Sequence, residues 1–97
     1  MTAFGFKRAK QQVLAALREG TYQHEARGDL NVKNALAIGE ISPRELIAII
    51  ERCNGTHHHA SPHHSYPLIE VHVLRRDGWY IKFYFLNPDT IFISVHR

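Results

Sequence analysis

Apolar residues recur near the start of the chain at three- and four-residue intervals: Phe6, Ala9, Val13, Ala16 and Leu17. This stripe predicts an amphipathic helix over residues 4–18, with Lys7, Lys10 and Arg18 mostly off it and Gly20 as its stop. Residues 21–25 alternate weakly and suit a short edge strand. A second, short helix fits residues 30–38, capped by Asp29 or Asn31 and ended by Gly39. The third helix has the clearest signal. In Ser42-Pro43-Arg44-Glu45 a capping serine precedes a proline at the first helical position, with a glutamate three residues after the cap. Leu46, Ile47, Ile49, Ile50 and Cys53 then form a broad apolar face that Asn54-Gly55 closes.

From residue 68 the period changes to two. Odd-numbered positions carry the apolar set Ile69, Val71, Val73, Trp79, Ile81, Phe83, Phe85, Ile91, Ile93 and Val95. Three strands follow, over residues 68–75, 79–86 and 90–96. For the odd positions to share one face of an antiparallel meander, Arg75 must oppose Trp79 across the three-residue turn Arg76-Asp77-Gly78. Likewise Phe85 opposes Ile91. The even face then carries the rows Leu74–Tyr80–His96, His72–Lys82–Ser94 and Glu70–Tyr84–Phe92. Helices first and strands last argue for an α+β fold, with three N-terminal helices on one face of a mainly antiparallel sheet.

Composition narrows the class. The 97 residues, 44% apolar and 22% charged, suit one globular domain spanning 1–97. No apolar run approaches the ~18 residues of a membrane span, and no signal-peptide pattern opens the chain. Cys53 is the only cysteine, which excludes an intrachain disulfide and fits a reducing, cytoplasmic setting. The net charge is +3 with histidine neutral, and there are eight histidines whose protonation would raise it further. Polyanions are therefore admissible partners.

The even face suggests which polyanion. A half-buried sheet needs a polar outer face, and these rows satisfy that bland requirement. Yet His72, Tyr80, Lys82, Tyr84 and His96 together bring bases, cations and stacking rings, which suit RNA. They also suit metal-independent RNA cleavage. A base takes the proton of a ribose 2′-OH, a cation stabilises charge on the phosphoryl oxygens, and an acid protonates the leaving 5′-oxygen.

Gly78-Trp79-Tyr80-Ile81-Lys82 resembles the glycine, aromatic pair, aliphatic and lysine of the MqsR family of toxins, and Ile91-Phe92-Ile93-Ser94-Val95-His96 is similar to that family's terminal strand. The family comprises mRNA interferases of bacterial toxin–antitoxin pairs with a RelE-like fold. The resemblance spans almost the whole chain in length and element order. It implies a sequence-selective endoribonuclease held in check by a protein antitoxin. By position, Tyr80 corresponds to a catalytic tyrosine, and His96 falls where the family has a catalytic lysine. The chain departs from the family at Gly55, Thr56 and His57, where a lysine is usual, and at Leu68 or Ile69, where a glutamine is.

The candidate catalytic set is His96, Tyr80, Lys82, His72 and His63. The candidate RNA-binding set is His64, Tyr66, Tyr84, Arg97 and Arg75. No cofactor or metal is called for. Within residues 56–67 five histidines crowd together: His57, His58, His59, His63 and His64. A metal site, a substrate-contacting loop and a solvated loop all remain open readings for them. The spacing matches no usual zinc pattern, and successive histidines on extended backbone point to opposite sides. A non-catalytic RNA- or protein-binding domain is the alternative to the nuclease.

Overall fold

The structure is a computed structural model in which residues 5–25 and 34–97 are described. It is α+β. Helix α1 (Phe6–Glu19) buries Ala9, Val13, Leu14, Ala16 and Leu17 and ends at Gly20, whose φ of 78° is left-handed. Strand β1 (Tyr22–His24) follows. Helix α2 (Pro43–Glu51) starts with both halves of the capping box. The Ser42 hydroxyl accepts from the Glu45 N–H at 3.1 Å, and the Glu45 carboxylate accepts from the Ser42 N–H at 2.9 Å. Ser42→Ala should cost about 1 kcal/mol of unfolding free energy, read as a lower denaturant midpoint at constant m.

The expected helix over residues 30–38 lies partly outside the described residues. Its described part is a bridge at Asn34, paired with Val95, and a turn rather than a helix. The reason is visible in the bonds. The buried Asn34 carboxamide donates to His24 Nδ1 at 3.1 Å and accepts from the Ala37 N–H at 3.0 Å, while the Ala35 N–H reaches the Val95 carbonyl. An asparagine that satisfies its neighbours' backbone in this way favours a turn over a helix.

After a 3₁₀ turn (Gly55–His57) come β2 (His58–Pro62), β3 (Glu70–Arg76), β4 (Trp79–Leu86) and β5 (Asp89–His96). The sheet order is β1-β5-β4-β3-β2, with β1 parallel to β5 and the other pairs antiparallel. The helices and residues 35–41 cover one face. Val13, Leu14, Leu17, Leu46, Ile49 and Ile50 pack there against Leu74, Ile81, Phe83, Phe92 and Val95. Lys10 ties the helices together, donating to the carbonyls of Glu51 and Cys53 at 2.8 and 3.0 Å. Cys53 is buried and its thiol contacts the Ile49 carbonyl.

Three register expectations are corrected. First, β3 and β4 join through the two-residue turn Asp77-Gly78, with Arg76 opposite Trp79 and Arg75 opposite Tyr80. Asp77 and Gly78 have φ of 55° and 80°, the paired left-handed values of the hairpin turn whose twist matches that of the strands. Second, β4 and β5 meet across Asn87-Pro88, with Leu86 opposite Asp89 and Phe85 opposite Thr90. Third, a bulge lies between Lys82 and Phe83. Lys82 faces Ser94 while Phe83 faces Phe92, so Ile93 is the extra residue. The first correction moves β3 by one residue, so His72 and Leu74 face the helices while Val71, Val73 and Arg75 face away. Residues 58–62, expected to be irregular, form β2, because their backbone pairs with β3 from His58–Leu74 to Pro62–Glu70.

Candidate functional site

The sheet face away from the helices carries three cross-strand rows. The first is Arg75–Tyr80–His96, the second His59–Val73–Lys82–Ser94, and the third Ser61–Val71–Tyr84–Ile91. The pairings Tyr80–His96 and Lys82–Ser94 agree with the sequence expectation. Their β3 neighbours differ, with Arg75 and Val73 in place of Leu74 and His72.

In the first row the rings stand side by side. The His96 imidazole stacks on Tyr80 with centroids 5.1 Å apart, and the Arg75 guanidinium lies 5.1 Å from the Tyr80 centroid on that row. His96 Nδ1 sits 3.0 Å from the main-chain oxygen of Arg97. That oxygen can only accept, so Nδ1 carries the proton and Nε2 of the neutral ring keeps a lone pair. The row therefore offers a cation, a phenol and a proton acceptor. Lys82 lies in the adjacent row. A groove of about 470 Å³ runs beside Arg75, Tyr80 and Lys82, lined also by His57, His59 and Ser61 among others, while His96 lines the neighbouring recess that Arg97 edges.

His59 and Ser61 belong to this patch and were not among the sequence candidates. They sit on β2, whose His-His-Ala-Ser-Pro composition lacks the β-branched and aromatic residues that signal a strand. The alternation of a strand is present at 59 and 61, but no apolar partner set marks it.

His63, His64, Tyr66 and Tyr84 form a second cluster, at the other end of the same face. His63 is buried and meets the Tyr84 ring edge-on at 5.2 Å, with Tyr66 at 5.4 Å and His64 stacked at 5.0 Å. Its Nδ1 accepts from the N–H groups of Ser65 and Tyr66, leaving the ring proton on Nε2, 3.7 Å from Glu25 Oε2. These bonds fold residues 63–66 over the strand. The structure does not bring His63 to His96: the Lys82 row separates their rows.

His72 is the clear correction. It points into the helix side, 1% exposed, stacked on Phe83 and hydrogen-bonded through Nδ1 to His58 Nε2 at 3.0 Å. Burial lowers its pKa to about 4, and the neighbouring His58 adds to the shift. Burial lowers His58 and His24 as well. Arg97 also leaves the open face. It lies 5.1 Å over the ring of Trp79, which packs against the helix-side core. It edges a recess of about 750 Å³ whose lining includes Glu40, Glu45 and Asp77, a fringe of carboxylates that repels phosphate.

No protein-family model, curated protein or solved structure matches the chain. Among the described residues, no three of His, Cys, Asp and Glu are grouped as metal ligands. No helix among them is long and apolar enough to cross a membrane.

Proposed function

We propose that the open sheet face binds single-stranded RNA and cleaves it without a metal. The observation that carries this reading is the Arg75–Tyr80–His96 row with Lys82 beside it. His96 Nε2 takes the 2′-OH proton as the 2′-oxygen attacks the adjacent phosphorus. Arg75 and Lys82 stabilise the charge gathering on the phosphoryl oxygens, and the Tyr80 hydroxyl donates to one of them. The bond to the 5′-oxygen breaks, and that oxygen takes a proton from solvent water at the open face. A 2′,3′-cyclic phosphate and a free 5′-hydroxyl result. The Tyr84 cluster supplies stacking surface at the far end of the face.

This reading keeps the likeness to the MqsR-like, RelE-like mRNA interferases as its class, with an antitoxin as the partner that would cover the face. The test is incubation of the purified chain with a long single-stranded RNA in excess EDTA. Discrete fragments bearing cyclic phosphate ends are expected. Intact RNA after incubation with folded, monodisperse protein overturns the nuclease reading and leaves a binding module.

A further inference from the structure

β2 is an edge strand: it pairs with β3 on one side, and no described strand lies on the other. One side chain ties it to the interior. The His58 imidazole lies between Phe6 of α1, with ring centroids 5.7 Å apart, and His72 of β3, stacked at 5.2 Å. His58 Nε2 and His72 Nδ1 are 3.0 Å apart, so one of them donates. The other ring nitrogen of His72, Nε2, lies 3.5 Å from Glu70 Oε1, and a carboxylate only accepts. The single proton of a neutral His72 therefore sits on Nε2. Its Nδ1 is the acceptor, and His58 donates to it through Nε2–H.

This arrangement treats two protons differently. A proton arriving at His58 enters on Nδ1 and leaves the bond to His72 in place. A proton arriving at His72 must enter on its Nδ1, which sets two N–H groups against each other across 3.0 Å. His72 cannot turn out to water, because it is buried and Phe83 and Phe85 of β4 pack on its ring. His58, half-buried on the edge, is the partner that can leave. The charges around the pair are mixed. Glu70 of β3 favours a proton on His58, and His59 of β2 opposes it. From α1, Lys10 stands over Phe6, with its ammonium held by the Glu51 and Cys53 carbonyls. Burial lowers the pKa of both imidazoles.

We propose that the His58–His72 hydrogen bond is a latch that holds β2 on the sheet at neutral pH and releases it in mild acid ahead of the rest of the sheet. Opening lets both imidazoles take protons from water. It also removes His59 and Ser61 from the groove beside Arg75, Tyr80 and Lys82. The groove is thus dismantled over the same pH interval in which exposed histidines gain positive charge. The latch is independent of whether the open face cleaves RNA.

The test is amide hydrogen exchange of the full chain, followed residue by residue at pH 7, 6 and 5 and expressed as protection factors, which divide out the intrinsic pH dependence of exchange. With a pKa of about 4 when latched and about 6.5 when open, the proton of His72 alone should lower β2 protection about twentyfold between pH 7 and pH 5, and His58 adds to the fall. Opening of β2 exposes little surface, so its protection should lie below that of the β4–β5 ladder and stay nearly flat in low urea.

Two variants assign the protons. His72→Phe keeps a ring against Phe83 and should remove the twentyfold share of His72. In His58→Gln the amide nitrogen takes the place of the Nε2 donor, so β2 should stay latched at pH 7 and the fall should shrink to that share. A fall that either folded variant leaves as large as in wild type overturns the latch. So does β2 protection that shares the level and urea slope of β4–β5 at pH 5, since acid then acts on the whole fold. Wild-type β2 protection that does not change with pH overturns it as well.

Discussion

His96→Gln should lower the single-turnover rate of RNA cleavage by about 10²- to 10⁴-fold, the usual worth of one positioned proton-transfer group. Oligonucleotide affinity should stay within about twofold, because the loss falls on the transition state rather than on binding. The reason lies in the Nδ1 contact to the Arg97 oxygen, which presents Nε2 as an acceptor. The glutamine amide nitrogen at that position is a donor, so shape is kept and basicity is lost. His96 is partly exposed at the end of β5, so unfolding free energy should move by no more than about 0.5 kcal/mol. Cleavage at the wild-type rate by the variant would remove His96 from the mechanism and turn attention to His59. Loss of cleavage together with loss of binding would make His96 a contact, not a base.

Much of the fold was legible because its signals are local. The stripe of α1 and the Ser42–Glu45 capping box each depend on residues a few positions apart, and both hold in the structure. The extents of β3, β4 and β5 followed from alternation in the same way. The faces of the strands were less legible because parity is set by single residues at turns. Asp77-Gly78 closes a two-residue hairpin, and that alone exchanges the two faces of β3. Pattern matching favoured Val71 and Val73 for the core over His72 and Leu74. The structure instead buries all four, two on each side of the sheet.

The candidate site was partly readable for the same reason. Tyr80, Lys82 and His96 lie on β4 and β5, before the bulge, where the expected pairing and the observed one coincide. His59 was hidden in a strand made of residues that seldom form strands. Arg75 moved into the central row when β3 shifted, and His72 moved out. An exchange of His72 for Arg75 alters the chemistry assigned to the face: it gains a cation beside Tyr80, and its second imidazole is His59 on β2 rather than His72 on β3.

The displaced histidine carries the second large expectation, which concerns stability. His72 is surrounded by Phe83, Phe85 and His58, with Glu70 Oε1 at 3.5 Å from its Nε2. From the helix layer, Phe6 of α1 packs on His58, and Lys10 lies over Phe6 with its ammonium turned to the Glu51 and Cys53 carbonyls. Burial holds the folded-state pKa of His72 at about 4, below the 6.5 of a solvated imidazole. Between those values the unfolded chain binds a proton that the folded chain does not. Stability therefore rises with pH through this window, is complete above about pH 6.5 and is lost as pH falls toward 4. The loss from this residue is about 2 kcal/mol between pH 7 and pH 5 and about 3 kcal/mol by pH 4. Lowered pKa values at His58 and His24 act in the same direction. Against a total stability of about 5–15 kcal/mol, that is a large fraction of what holds a small domain folded. Urea titrations of wild type and His72→Phe at pH 7 and pH 5 isolate the effect. Phenylalanine keeps a ring against Phe83, and the half-exposed His58 recovers water as a partner. The variant should lose about 2 kcal/mol less than wild type over this interval, whatever its stability at pH 7. Equal losses in the two proteins would mean that His72 takes up its proton in the folded chain, with Glu70 as its counter-ion, and that the helix-side face tolerates a charge there.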